Sequence, residues 1–180
     1  MWPERSARAH ATVTVDGDSA DELWAAFRVG ARARCQVLSA IRDGETRILG
    51  GTVEAAHGWR HERRLAYRPG QALVVVDRVL GHAASARVVS RVPLHPDWTV
   101  ADGRLVAGTT SLTFETLAGR RGPPETGWMG DGFGVRRPRS VLTVEPDGGG
   151  GGGGSASRVA YAIAAPGAAA TVRALLQAIQ

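Results

Sequence analysis

His10 is the first residue of this sequence whose type and setting suggest chemistry. It lies in the stretch AHATVTVD (residues 9–16), where apolar and polar residues alternate. Alternation with a period of two predicts a β-strand whose polar face carries His10, in line with Thr12, Thr14 and Asp16. An imidazole can carry a proton near neutral pH or bind a metal. Two interpretations stay open: an exposed strand histidine, or a metal ligand or proton carrier that faces a cleft.

The other four histidines give weaker signals. His57 and His61 flank a Gly-Trp turn. That spacing would suit zinc on a helix, but in a hairpin the two side chains can diverge, so we predict turn-flanking surface residues. His82 follows a glycine and is predicted in a loop, and His95, between prolines, at the end of a strand.

The sequence contains no complete motif for nucleophilic or metal chemistry. G-x-S-x-G, a P-loop, H-E-x-x-H and a Cys-x-x-Cys pair are all absent. The single cysteine, Cys35, excludes an internal disulfide and lies in a strand-like run, where we predict a small buried side chain.

The elements that would position these residues are mostly strands. Short runs rich in Val, Leu and Thr recur about every 8–12 residues between Gly or Pro turns, which is the pattern of a sandwich or barrel. The run ALVVVDRVL (residues 72–80) is almost continuously apolar, which favours a strand covered on both faces. Glycine (24 residues) and proline (9 residues) are abundant. The predicted fold is therefore an all-β domain with many turns, either a sandwich or a barrel.

Several segments depart from this rhythm. Ser19 and Glu22 could cap a short helical turn, and Gly50-Gly51 is predicted to form a bulge. Residues 118–139, rich in Gly, Pro and Arg, are predicted as a long excursion between strands. Residues 148–157 form a glycine-rich stretch, interpreted as a flexible hairpin tip. The tail TVRALLQAI could be a short helix or a last strand, and periodicity does not decide between them.

The charge distribution disfavours nucleic acid as the partner. The formal net charge is +5, and all 22 basic residues are arginines. They are spread along nearly every strand instead of forming one basic patch. Neither an apolar signal-peptide core nor an apolar run of about 20 residues is present, so the sequence predicts no export signal and no membrane span.

An ordered series of segments resembles the heparinase II/III-like C-terminal domain of bacterial polysaccharide lyases. RSARAHATVTVDGDSADELWAAFRVGARA resembles the family's stretch R-S-x-x-x-H-N-T-V-x-V-D-G-x-D. Further along the chain, GWRHERRLAYRPGQALVVVDRVLGH, SRVPLHPDWTV and GFGVRRPRSVLTVE resemble later strands of the family in the same order. The likeness covers most of residues 5–145.

The resemblance implies one large antiparallel β-sandwich over residues 1–180 that lacks the family's N-terminal α-helical toroid. In the family, an acidic, uronate-containing polysaccharide lies in the cleft between the two parts and is cleaved by β-elimination. The Tyr/His pair for proton transfer lies mainly on the toroid. We therefore expect this chain to begin partway through a family sandwich, to need an upstream toroid domain or protein, and to be inactive alone. Family members are often periplasmic or secreted.

The residues carried over by this resemblance are few. His10 matches a histidine that binds structural zinc in some members, although Ala11 replaces the neighbouring Asn and the other ligands precede this motif in the family. Zinc is thus possible in the family and not expected in this chain alone, because a zinc site takes about four ligands. Arg5, which opens the motif, is the expected substrate contact. Tyr67 and Tyr161 match no catalytic position and are predicted to pack, so no catalytic residue is assigned.

A second hypothesis is a non-catalytic module that binds anionic carbohydrate. Arginines along one sheet could form bidentate contacts with carboxylates or sulfates. The tryptophans offer stacking surfaces for sugar rings, although core packing is the role we predict for them; the four considered are Trp24, Trp59, Trp98 and Trp128.

Overall fold

The predicted antiparallel β-sandwich is confirmed. A computed structural model describes residues 6–25, 28–132, 134–147 and 156–180. Arg5 and most of the glycine-rich stretch 148–157 lie outside the described residues. The strands, in chain order, are β1 (Val13–Val15), β2 (Arg34–Asp43), β3 (Thr46–Glu54), β4 (Arg60–Arg68), β5 (Ala72–Leu80), β6 (Val88–Pro93), β7 (Thr99–Ala101), β8 (Arg104–Ala107), β9 (Thr110–Ala118), β10 (Arg120–Arg121), β11 (Glu125–Gly132), β12 (Val135–Glu145) and β13 (Ala156–Ala164).

The strands form two antiparallel sheets. The larger has eight strands in the order β2-β3-β4-β5-β13-β9-β8-β7. The smaller has the order β1-β6-β12-β10, and β11 also pairs with β12. Their facing sides share one apolar cluster, in which Val75 and Tyr161 of the large sheet pack with Val92 and Leu142 of the small one. Strand β5 lies inside the large sheet, as its continuous apolar pattern predicted.

The C-terminal tail forms α1 (Ala169–Ala178), which resolves the choice between helix and strand. Val172 and Leu175 of this helix pack on Ala66 and Val74, on the outer side of the large sheet. The large sheet is therefore covered on both sides over its centre, by the small sheet and by α1. No helix in the described part of the chain has both the length and the apolar character of a membrane span.

Three local predictions are wrong. Residues 19–22 form no helical turn; the Ser19 hydroxyl accepts a hydrogen bond from the Ala7 amide, and the Glu22 carboxylate accepts one from the Ala31 amide. These side chains therefore stabilise loop contacts distant in sequence instead of a helix start.

The bulge lies opposite Gly50-Gly51 and not on them. The register with β3 passes from Val37–Gly51 to Ser39–Gly50, so Leu38 of β2 is the extra residue. The segment 118–139 is also not an irregular excursion, because β11 pairs with β12 from Glu125–Val141 onwards.

Candidate functional site

Asp77 is the most deeply buried ionisable side chain near an open groove. It lies in β5 with 1% of its surface exposed. Side chains along β4 and β5 alternate between the two faces of the sheet. His61, Arg63 and Asp77 all point towards the small sheet, where Ser90 of β6 faces them. We call these four residues the Asp77 cluster.

The Asp77 carboxylate accepts four hydrogen bonds. His61 Nε2 and Arg63 Nε each lie 2.7 Å from Oδ1. Arg63 Nη2 lies 2.9 Å from Oδ2 and the Ser90 hydroxyl 2.7 Å. Each carboxylate oxygen thus has two donors, which matches its acceptor capacity. A buried charge requires this degree of pairing.

The pKa values follow from this pairing. Burial by itself would raise the pKa of the Asp77 carboxyl, but the charge of Arg63 and the hydrogen bonds from His61 and Arg63 outweigh it, so that pKa lies well below its ordinary value. Burial likewise acts to lower the pKa of Arg63, and Asp77 reverses this and raises it. Asp77 is therefore ionised, and it accepts a hydrogen bond from the Nε2–H group of His61.

The Asp77 cluster joins parts of the chain that are far apart. His61 and Arg63 belong to the large sheet and Ser90 to the small one. Arg63 Nη1 also donates a hydrogen bond to the carbonyl of Ala11, in the segment before β1. The cluster therefore fixes the N-terminal segment and both sheets against one carboxylate.

A groove of about 390 Å³ opens beside this cluster. His61, Arg63 and Thr12 line one part of it, and β2 and β3 supply its apolar remainder through Val37 and Leu49. The groove exists because the small sheet covers the centre of the large sheet but leaves β2 exposed and β3 only partly covered.

The chemistry available in this groove is limited. Nδ1 of His61 keeps a lone pair when Nε2 donates to Asp77. The charge of Arg63 is balanced by Asp77. Tyr161, below the cluster, is buried against Phe114 at a ring distance of 5.6 Å, and burial, with a smaller effect of Asp77, raises its pKa to about 12. Tyr161 thus packs, as predicted, and holds its proton at neutral pH.

His10 does not lie on a strand. It follows a 3-10 helix at Ala7–Ala9 and precedes β1, whose residues Val13–Val15 are all buried. Thr14, predicted to share an outward face with His10, is fully buried and accepts a hydrogen bond from Arg91. The alternating pattern failed here because the Arg91 side chain, which is paired with Glu125, contacts Thr14 on the polar side of β1.

The correspondence of His10 to a zinc ligand of the family stays a prediction. Within the described residues, no three His, Cys, Asp or Glu side chains lie close enough to hold one metal ion. The residues described here therefore do not supply a zinc site, and no chemical step is assigned to a metal.

The sequence placed several other side chains incorrectly. His61, predicted at the surface, is 5% exposed. His82 does lie in a loop, as predicted, but it is buried there, and its Nδ1 lies 2.9 Å from the Ala83 carbonyl. Cys35, predicted to be buried, is exposed because it lies on the edge strand β2. Tyr67 is 41% exposed, whereas packing was predicted.

A second feature, absent from the sequence predictions, is a hollow lined by arginines on the outer side of the large sheet. Its volume is about 360 Å³. Arg64, Arg78 and Arg158 line it together with Glu62 and Gln180, whose main-chain oxygen accepts a hydrogen bond from Arg64 Nη1 at 3.3 Å. We call it the arginine hollow. Arg78 and Arg158 lie directly opposite each other in β5 and β13. Like charges in that position repel each other, and Glu62, whose Oε2 lies 3.9 Å from Arg78 Nη1, offsets part of this repulsion.

Two of the four tryptophans are available for ligands. Trp24 is 67% and Trp128 44% exposed, whereas Trp59 is buried and Trp98 packs against the central apolar cluster. The core prediction therefore holds for two of them. Trp24 borders a separate hollow that contains Asp16, Asp18 and Glu22, a setting that disfavours anionic ligands.

Comparisons with known proteins agree with this architecture. The family described as heparinase II/III-like, C-terminal, matches residues 3–164. The heparan sulfate lyase HepC from Pedobacter heparinus is similar over 89% of this chain, with a TM-score of 0.67 and 16% identity. A crystal structure of heparinase III is similar over 91% of the chain, with a TM-score of 0.67 and 15% identity. A further heparinase III gene product matches 90%, with a TM-score of 0.65 and 17% identity.

The chain spans 24% of the length of each of these three lyases. At these identities the likeness establishes the fold. A search of curated proteins found no match.

Proposed function

The chain belongs to the heparinase II/III-like C-terminal family, and on that premise we propose that residues 1–180 act as the C-terminal β-sandwich domain of a polysaccharide lyase. Its substrate would be an acidic, uronate-containing polysaccharide, and its reaction β-elimination. An upstream α-helical domain or protein would complete the enzyme. The heparan sulfate lyase and heparinases among the similar structures support this substrate class.

The reaction sets clear chemical requirements. The C6 carboxylate of the uronate must be neutralised, the C5 proton removed, and the 4-O-glycosidic oxygen expelled. These steps need a base and an acid with suitable pKa values, together with positive groups near the developing negative charge.

The observation that carries the proposal is the saturation of Asp77. Four hydrogen bonds to its carboxylate occupy the guanidinium of Arg63 and one ring nitrogen of His61. Tyr161 is buried and keeps its proton. His61 alone is not an acid–base pair, so we propose that the Asp77 cluster supports the fold and that the proton-transfer residues belong to the upstream part. The chain alone would then be inactive.

Two further residues enter this proposal from the sequence resemblance. Arg5 would contact the substrate carboxylate, and His10 would face the same cleft, with zinc binding only if ligands beyond the described residues join it. His10 precedes Thr12, which lines the groove beside the Asp77 cluster, so a polysaccharide bound there would pass close to His10.

The test is an elimination assay on the 180-residue chain. The chain is incubated with alginate, heparan sulfate and hyaluronan, and the ultraviolet absorbance of unsaturated uronates is followed. We expect no rise in absorbance with the chain alone, and a rise when an α-toroid domain of the family is added. Turnover by the chain alone would overturn the assignment of proton transfer to an upstream part.

A second candidate function is a non-catalytic module for anionic carbohydrate, and the arginine hollow favours it. Three arginines line it, and the opposed pair Arg78 and Arg158 would be stabilised by a sulfate or carboxylate between them. Salt-dependent retention on a heparin column tests this function, and elution at low salt, before any gradient, contradicts it.

A further inference from the structure

Strand β2 forms an open edge of the large sheet. No described strand pairs with its outer side, and it has ten residues, compared with three in β7 at the opposite edge. Large apolar side chains are exposed along it: Val37 is 76%, Leu38 50% and Ile41 53% exposed. A long apolar edge strand is a template on which another strand can pair.

The bulge at Leu38 divides β2 into two halves of opposite alternation. Before it, Arg34 shares a side of the sheet with Glu54; after it, Asp43 shares the same side with Thr46. Because successive residues of a regular strand point to opposite sides, Arg34 and Asp43, nine positions apart, would point to opposite sides without the bulge. With it, they lie on one side, at the two ends of the strand.

We propose that two copies of this chain pair through β2, as antiparallel strands about a twofold axis between Leu38 and Ser39. In this register Arg34 lies opposite Asp43 of the partner subunit, and the same pair recurs at the other end by symmetry. The two eight-stranded sheets then continue as one.

Three features select this register over its neighbours. In it, directly opposite residues of the two β2 strands point to the same side of the sheet in both halves of the strand, because the two bulges face each other at the centre. It brings opposite charges together at both ends, and within the described residues neither Arg34 nor Asp43 has an ion-pair partner of its own. A shift of two residues would place Arg34 opposite Ile41 instead.

The same arrangement explains why pairing would stop at two. A twofold contact uses the same edge on both copies and is closed. The opposite edge, β7, offers only three residues, a length that discourages further pairing. The inference depends on β2 alone and is independent of the proposed polysaccharide function.

The experiment measures the mass of the full chain by sedimentation velocity over a wide concentration range. We expect a dimer that dissociates on dilution. Arg34→Asp or Asp43→Arg places like charges together at both ends and should weaken the dimer about tenfold or more. The double variant Arg34→Asp with Asp43→Arg restores opposite pairs and should recover the dimer.

Matched controls are Arg104→Asp and Glu115→Arg, which make similar charge changes at exposed positions of β8 and β9. They should leave the dimer unchanged. Circular dichroism checks that every variant is folded. A monomer at all concentrations, or a dimer that neither single variant weakens, or a double variant that stays monomeric, would overturn the proposal.

Discussion

His61 Nε2 lies 2.7 Å from Asp77 Oδ1, although the two residues are 16 positions apart in the sequence. The contact joins β4 to β5 inside the sandwich and lies next to the hydrogen bond from Ser90 of the opposite sheet. It connects the buried Asp77 carboxylate to His61, a side chain that lines the groove. Both the stability and the pH response of the domain should depend on it.

Replacing the buried carboxylate should destabilise the fold strongly. Asp77→Asn leaves Arg63 buried without its counter-charge, and breaking a buried pair in this way costs about 3–5 kcal/mol. Ser90→Ala, which removes one hydrogen bond to the carboxylate, should cost about 1.5–3 kcal/mol. Urea unfolding followed by circular dichroism measures both. The control Asp102→Asn, in an exposed turn, should change the unfolding free energy little, and equal losses at both aspartates would contradict this role.

The same carboxylate should make stability depend on acid pH. The folded-state pKa of Asp77 is lowered, so its contribution is present above the ordinary carboxyl pKa of about 4 and is lost as the pH falls below that value. Unfolding free energies measured between pH 7 and pH 3 should therefore fall towards the acid end. The fall should be shallower in Asp77→Asn or, if that variant is too unstable, in Ser90→Ala. Identical slopes in the variant and the parent chain would refute this assignment.

Helix α1 should contribute directly to the stability of the large sheet. Leu175 is 1% exposed and packs on the outer side of the sheet. Leu175→Ala should cost about 2–5 kcal/mol, since it removes buried methyl groups and leaves a cavity. Gln177→Ala, on the exposed side of the same helix, should have an effect of about 0.5 kcal/mol or less. Denaturant unfolding compares them, and similar midpoints would mean that the helix is not part of the cooperative fold.

The arginine hollow should govern retention on heparin. The triple variant of Arg64, Arg78 and Arg158 to Gln should elute at clearly lower salt than the parent chain, because bidentate contacts to sulfates are lost. A triple variant of Arg32, Arg104 and Arg173 to Gln removes the same net charge at exposed positions elsewhere. Equal shifts for the two triple variants would show that retention depends only on net charge.

Much of the fold was predictable from local pattern. The apolar run 72–80 correctly predicted an inner strand, and regular turns predicted the sandwich. Errors arose where tertiary contacts override a pattern. Thr14 looked like an outward residue but is buried because the Arg91 side chain contacts it, and Ser19 looked like a helix cap but hydrogen-bonds the Ala7 amide.

The candidate site was much less predictable. Asp77 inside an apolar run signals a buried carboxylate that needs partners. Its partners could not be identified, because β4 carries charged residues on both sides and alternation does not reveal which side is buried. The opposition of Arg78 and Arg158 depends on the register of β5 with β13, strands that are distant in the sequence.

The most direct test of the central claim is the elimination assay on the isolated 180-residue chain, with alginate, heparan sulfate and hyaluronan as substrates. The account predicts no rise in the absorbance of unsaturated uronates from the chain alone, and a rise once a family α-toroid is supplied. A rise with the chain alone that His61→Ala abolishes would contradict it, because proton transfer would then reside in the Asp77 cluster.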